Sequence, residues 1–129
     1  MPAPASYEYS VDALVDAQEG FLALVDAGSG AGKLKIYSDA DELLCTITLS
    51  DPAGAVNSGT GQLTITAPSS ATGVAADDAT YGTVTDSDDA VHLTAPVVEA
   101  PSASPGNIAL SETAITIGSE IELISFTVG

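Results

Sequence analysis

The stretch of this chain that most resembles a chemical motif is the glycine-rich run 28–33, which reads GSGAGK. A phosphate-binding loop requires a glycine at the position of Ala27 and a serine or threonine at the position of Leu34, directly after the lysine. Such a loop also leads from a strand into a helix, whereas this run follows a helical pattern and precedes a strand-like one. We therefore interpret the run as the end of a helix and predict no nucleotide site.

His92 and Cys45 are the single histidine and the single cysteine of the chain. A zinc site needs three or four ligands, mostly nitrogen or sulfur, which these two residues cannot supply within one chain. The sequence also lacks the Gly-x-Ser-x-Gly turn that presents a nucleophilic serine. Both residues lie in strand-like patterns, where His92 is predicted to be a surface side chain and Cys45 a small buried hydrophobe. We predict no catalytic, metal-binding or cofactor-binding residue, and no enzymatic activity.

The carboxylates form three clusters that could offer oxygen ligands to calcium. The clusters are Asp39, Asp41 and Glu42; Asp77 and Asp78; and Asp86, Asp88 and Asp89. None has the spacing of a preformed calcium loop, so we interpret them as solvated turns and keep a weak calcium site as an alternative. A carbohydrate-binding module is a second alternative, but in a chain without tryptophan only Tyr37 and Tyr81 are candidates to stack on a sugar.

The charge balance excludes several partners. Eighteen acidic residues stand against Lys33 and Lys35, which gives a net charge of −16. Because binding to nucleic acid depends on Lys and Arg that neutralise phosphates, we expect no nucleic-acid partner and no anionic membrane partner. No stretch approaches the roughly 20 apolar residues of a membrane span, and the first residues do not read as a signal peptide.

The central stretch, residues 33–49, has the pattern of a β-hairpin. Leu34 and Ile36 alternate with polar residues, which is typical of a strand with one buried face. The returning strand places Leu43, Cys45, Ile47 and Leu49 on one side and Leu44, Thr46 and Thr48 on the other. Residues 38–42 between the two runs are rich in Ser and Asp, which favour a turn.

An amphipathic helix is predicted at about residues 10–27. Ser10 can cap its first turn, and the glycine-rich run ends it. Its apolar residues at three-and-four spacing are Val11, Leu14, Phe21, Leu24 and Val25, and its acidic residues are Asp12, Asp16, Glu19 and Asp26. Residues 1–9, with two prolines and with Tyr7 and Tyr9, are predicted to form an extended arm.

The remaining chain reads as short strands and turns. Strands are predicted at 62–67, at 80–85 and 90–95 as a second hairpin, at 107–110, at 114–117 and at 120–128, with the last apolar on both faces and therefore central or in an interface. Residues 50–61 and 68–79 read mainly as loops, and 96–105 as a proline-rich extended connection. About eight strands without helices between them favour one antiparallel β-sandwich domain over residues 10–129.

Two segments carry a family resemblance. Residues 31–50 read AGKLKIYSDADELLCTITLS, and residues 115–127 follow Ile-x-x-Gly-x-x-Ile-x-Leu-x-Ser-Phe-Thr. Together with residues 50–66 and 79–97, their order resembles the small β-sandwich virion proteins of tailed bacteriophages, in particular the head decoration (cement) proteins with a jelly-roll-like fold. The resemblance extends from about Leu14 to Val128.

This resemblance implies a structural protein on the outer surface of the virion, where copies bind the major capsid protein and stabilise the head. We expect a jelly-roll-like sandwich that forms a dimer or trimer. The hypothetical interface residues are Tyr7, Tyr9, Leu14, Phe21 and Leu24. An equally weighted alternative is that the helix face only covers the sandwich, and a tail or fibre component is an alternative position in the particle.

Overall fold

The fold begins with one helix that packs on a β-rich body. A computed structural model describes residues 10–100 and 106–128. Helix α1 spans Val11–Val25, and the Ser10 hydroxyl accepts a hydrogen bond from the Ala13 amide at 3.1 Å, as expected of a capping residue. The helix ends two residues before the predicted boundary, and Gly28 then turns the chain with a φ of +102°. The predicted helix is therefore confirmed, while residues 1–9, the predicted arm, lie outside the described part.

The described residues contain twelve short strands in three sheets. They are β1 Lys33–Ser38, β2 Leu43–Thr48, β3 Gly54–Val56, β4 Leu63–Ile65, β5 Ala71–Thr72, β6 Asp77–Thr85, β7 Val91–Glu99, β8 Ile108–Leu110, β9 Ala114–Ile115, β10 Glu120–Ile121, β11 Leu123–Ser125 and β12 Thr127–Val128. The largest sheet has the order β11-β8-β7-β6-β1-β2, with β9 paired to β6; β5 pairs with β10, and β4 lies between β3 and β12. The chain is thus mostly β with one helix and a curled sheet, broadly compatible with the predicted sandwich.

The central hairpin is confirmed, with one irregularity that the alternation did not predict. Strands β1 and β2 pair antiparallel, but the register changes after the Ile36–Cys45 pair, so that Tyr37 lies opposite Leu43. Leu44 is the extra residue of this bulge. Because the bulge interrupts the alternation, Leu44 is fully buried beside Cys45 instead of lying on the face of Thr46.

The second hairpin is longer than predicted. Strand β6 begins at Asp77, and β7 continues through Pro96 to Glu99, where the sequence predicted a connection. Pro96 has no amide hydrogen, yet it lies within the strand opposite Tyr81. Beyond it, β7 pairs in parallel with β8, with Val97 opposite Ile108. The prediction of an entirely antiparallel arrangement is therefore wrong for this pair.

The end of the chain is not the single two-faced strand that its apolar pattern predicted. Residues 120–128 form three short strands, and each pairs in a different sheet: β10 with β5, β11 with β8 and β12 with β4. Each change of partner lets residues of both faces contact the interior, which explains the apolar pattern. Strands β3 and β5 also lie in segments that the sequence indicated to be loops or at most a weak strand.

One aliphatic core joins all of these elements, in agreement with the lack of tryptophan. Its largest fully buried side chains are Phe126, Leu34, Ile36, Leu44, Ile47, Leu49, Leu63, Ile65, Ile108, Leu110, Ile115 and Ile121. Val25 of the helix belongs to the same core, and Phe21 and Leu22 pack against it while partly exposed. The helix therefore covers part of the β body.

We expect the substitution Phe126→Ala to lower the free energy of unfolding by about 3–5 kcal/mol, because it leaves a cavity where a fully buried ring now packs. The matched control is Ile124→Ala, two residues away, where the side chain is 52 % exposed and the loss should stay below about 1 kcal/mol. Chemical denaturation of both variants measures the difference. Equal losses would contradict the assigned packing of the chain end.

Candidate functional site

All three basic side chains of the chain converge on one acidic turn. The Nζ atoms of Lys33 and Lys35 each lie 3.0 Å from the same Oδ1 atom of Asp89. On the other side of the turn, His92 Nε2 lies 3.1 Å from Asp86 Oδ2. The sequence contains only two residues of the Lys and Arg types and one histidine, so this turn uses the complete set of basic side chains.

The turn between β6 and β7 is built to present these carboxylates. Asp86 accepts hydrogen bonds from the amides of Asp88 and Ala90 at 2.9 and 3.1 Å, a local pattern that favours reversal. Asp89 has a φ of +68°, a conformation that Asp tolerates better than most residues. The carboxylate of Asp89 thereby reaches both lysines of the neighbouring strand.

Hydrogen bonds to the charged carboxylates lower both of their pKa values. The bond to His92, followed by the bond from the Ala90 amide, lowers the pKa of Asp86. The bonds from Lys33 and Lys35 lower the pKa of Asp89. The predicted surface position of His92 is wrong in part, because its side chain is only 19 % exposed and is held against Asp86.

The glycine-rich run has a structural role in the described fold. Residues 28–33 connect the end of α1 to β1, and the Ser87 hydroxyl of the acidic turn approaches the Ala27 carbonyl at 3.5 Å. A Cβ atom on Gly28 would meet this same hydroxyl. The helix-stop interpretation is therefore confirmed, and the Lys33 amine that resembled a phosphate ligand is paired with Asp89.

The other acidic clusters lie on the surface. Asp39, Asp41, Glu42, Asp77 and Asp78 are all exposed. Within the described residues, no group of three or more His, Cys, Asp or Glu side chains has an arrangement that could hold a metal ion.

Cys45 lies inside the fold as predicted, with no exposed surface. Desolvation by the surrounding core raises the pKa of its thiol to about 11. Because the thiolate is the reactive form of cysteine, this thiol is held in an unreactive state.

Tyr37 and Tyr81 are cross-strand partners whose rings stack at a centroid distance of 5.2 Å and an angle of 13°. The register places Leu43 opposite Tyr37 and Pro96 opposite Tyr81 on the neighbouring strands. The Tyr81 hydroxyl donates to Asp41 at 2.7 Å, and this bond is the main reason that the pKa of Tyr81 rises to about 12. The stacking covers one face of each ring and leaves less ring surface for a sugar, which disfavours the carbohydrate-binding alternative.

The hypothetical interface residues of the helix differ in exposure. Phe21 packs against the core, and Leu14 is half-buried where it lies against Gly61. Leu24 is 52 % exposed. It continues a side of the helix on which Ala13, Ala17 and Gly20 are also exposed, at offsets of four, three and four residues. Leu24 is thus the accessible member of the predicted interface, whereas Tyr7 and Tyr9 lie outside the described residues; their roles stay predictions.

Sequence reasoning missed a surface formed where β5 pairs with β10. A cleft of about 220 Å³ opens there between residues 67–70 and 122–123. Beyond the other end of the same two strands, Val74 and Ile117 are 61 % and 74 % exposed. The gap between the predicted strands 114–117 and 120–128 agrees with a turn at Gly118 and Ser119, but the sequence did not indicate the pairing of that turn with Gly73.

No protein-family model, curated protein or solved structure that was compared with this chain matches it. In the described part of the chain, no helix combines the length and the apolar character that crossing a membrane requires.

The acidic turn should give the protein a measurable dependence of stability on pH. A folded-state pKa below the unfolded value contributes stability above the unfolded pKa, about 3.9 for Asp, and this contribution is lost as pH falls through the folded pKa. We therefore expect the melting temperature of Asp89→Asn to fall less steeply than that of the unmodified protein as the pH is lowered below about 5. Thermal unfolding followed by circular dichroism at several pH values measures this effect.

The matched control for this prediction is Asp39→Asn, which removes the same charge from the exposed turn between β1 and β2. It should retain the steep acid dependence of the unmodified protein. Two variants with indistinguishable pH profiles would show that the lysine pairs with Asp89 contribute nothing.

Gly20 offers a stabilising substitution on the exposed side of α1. No atom outside the helix's own nearby backbone lies within 4 Å of a Cβ atom placed there, so Gly20→Ala should raise the free energy of unfolding by about 0.5–1 kcal/mol. Gly28→Ala is the opposite case, because its positive φ and the Ser87 contact oppose a side chain. Denaturant unfolding should show a gain for the first and a loss for the second; a loss for both would contradict a regular, exposed helix at residue 20.

Proposed function

We propose that this chain is a non-enzymatic structural protein that decorates and stabilises the outer capsid surface of a tailed bacteriophage. Its partners are the major capsid protein and further copies of itself, in a dimer or trimer. A jelly-roll-like arrangement of the strands is part of this proposal. The curled sheet and the strand-rich architecture are compatible with the coarser class, an all-β sandwich-like fold.

The observation that carries the proposal is the distribution of charge. The basic side chains pair with Asp86 and Asp89, so the rest of the surface presents carboxylates without basic side chains of its own. Such a surface is repelled by DNA, which favours a position on the protein shell over one on the packaged genome. A protein that acts only by binding needs no site for chemistry, and many weak contacts on a repeated lattice are sufficient to hold it.

The residues that carry the family resemblance mostly build the core of the fold and do not form the surface that would contact the capsid. Ile47 and Leu49 of the first segment, and Ile121 and Phe126 of the second, are buried in the core. The surfaces that touch a shell must be formed by other residues. Among the predicted interface positions, Leu24 has the exposure that such a contact requires.

Two variants test the proposed contact on particles. Undecorated particles are prepared from the phage that encodes the chain after deletion of its gene, and purified protein is then added back. Removal of residues 1–9 and, separately, Leu24→Asp should each lower the number of copies bound, because the first removes two tyrosines and the second places a charge in an apolar contact. Copy number is counted by electrophoresis and by cryo-electron microscopy.

Leu24→Asp is paired with Ala23→Asp, a neighbouring exposed position on the acidic side of the helix, where binding should not change. Ordered copies of the unmodified protein over the head would agree with decoration. A few copies at the tail would instead favour a tail or fibre component, and unaltered occupancy of both test variants would contradict the roles of the arm and of Leu24.

A further inference from the structure

The paired strands β5 and β10 carry a surface that the helix-based interface does not include. Thr72 lies opposite Glu120, and Ala71 lies opposite Ile121. Ile121 is fully buried, so the alternation of a strand places Glu120 and Glu122 together on the outward side. We call the following six residues the β5–β10 surface: Ser70, Thr72, Val74, Ile117, Glu120 and Glu122. All six are exposed.

One end of this surface is the cleft beside Glu122. Its walls are Ala67, Pro68, Ser69, Ser70, Glu122 and Leu123. The volume of about 220 Å³ is below the roughly 300–1,000 Å³ of small-molecule sites, so the cleft suits a single protruding side chain. The exposed surface of the walls is mostly polar, with one carboxylate and two hydroxyl groups beside three apolar residues. This mixture matches a Lys or Arg, whose charged head can meet the polar groups while its apolar stem lies along the rest.

The other end of the surface is an exposed apolar pair. The Gly73 amide donates to the Ser119 carbonyl at 2.8 Å, and the Gly118 amide donates to the Gly73 carbonyl at 2.9 Å. These bonds hold together the chain segments that carry Val74 and Ile117. Val74 and Ile117 are the two most exposed of the large apolar side chains in the described fold. Their burial against a partner would remove apolar surface from water without rearranging the core.

The charges around this pair have no basic neighbour in the chain. Asp77 and Asp78 start β6 close to Val74, whereas Lys33 and Lys35 pair with Asp89 beyond the opposite end of that nine-residue strand. At about 3.3 Å per residue the two ends lie roughly 25–30 Å apart, several times the Debye length of about 8 Å at physiological salt. The lysines therefore do not neutralise Asp77 and Asp78, and both form their ion pairs with Asp89 instead of with Glu120 or Glu122.

We propose that the β5–β10 surface docks on a basic protein surface of the capsid, with a partner Lys or Arg in the cleft against Glu122 and an apolar recess over Val74 and Ile117. This inference rests on the proposed decoration function and adds a contact to it. A second copy of this chain is a poor occupant, because its own two lysines pair with Asp89 and its β5–β10 surface is equally acidic. Charge complementarity thus favours a basic surface of the shell over a second copy as the occupant.

The test measures binding of purified variants to the undecorated particles. Glu122→Lys reverses the charge at the cleft, and Ile117→Asp places a charge in the apolar contact. Each should raise the concentration needed for half occupancy about tenfold or more, as expected for a central interface residue. Added salt should weaken the unmodified protein more than Glu122→Gln, because the latter has lost the charged contact.

Matched controls occupy other exposed sites. Val91→Asp introduces the same charge at an apolar residue that is 56 % exposed beside the acidic turn between β6 and β7, and Glu42→Lys reverses a charge in the turn between β1 and β2. Both should bind as the unmodified protein does, and melting temperatures verify that all variants fold.

The outcomes separate the two proposals. If the unmodified protein binds and the β5–β10 variants bind equally well, the docking inference is wrong while decoration stands. If the controls lose as much binding as the test variants, the effect is one of overall charge and the inference is also wrong. If the unmodified protein does not bind particles at all, the decoration function and the inference that rests on it both fail.

Discussion

The rest of the structure depends on the hydrogen bonding of the last nine described residues, 120–128. The ladders that they complete are only two or three residues long, and such short pairings have little stability of their own in water. They become stable because the side chains between them, above all Ile121 and Phe126, enter one shared core. Backbone pairing in the three sheets and burial in the one core therefore depend on each other, and a substitution that weakens one weakens the other.

The second constraint is the scarcity of positive charge. A net charge of −16 produces repulsion throughout the folded chain, and three basic side chains cannot offset it everywhere. The fold concentrates them at the hairpin turn beside α1 and β1, where two of them share one carboxylate oxygen of Asp89. The remaining surfaces stay negative, and their stability comes from solvation, salt screening or a basic partner. Because both lysines pair with Asp89 at one end of β6, the carboxylates at the opposite end of that strand have no lysine beside them.

Elements whose local pattern and burial agree were predictable from the sequence. The helix has a capping serine, a regular apolar spacing and a glycine at its end, and the central hairpin has alternating residues on both sides of an acidic turn. Prediction was wrong where tertiary pairing overrides the local pattern. Leu44 is buried because of a bulge, Pro96 lies inside a strand, and residues 120–128 change partners twice, and no local periodicity encodes these events. The turn at Asp89 was located, but the convergence of both lysines on it depends on the register of β1 with β6.

The same distinction explains why the interface residues were harder to predict than the core. A helix residue such as Phe21 is apolar because the body below it is apolar, and its spacing alone does not separate that role from contact with a partner. Exposure separates the two: Leu24, Val74 and Ile117 are apolar in places where the fold itself gains little from them. Apolar side chains that remain in water near uncompensated carboxylates suit a partner surface that is both apolar and basic. Under the proposed decoration function each such contact would be repeated on a symmetric shell, so a small surface on each copy would be sufficient for attachment.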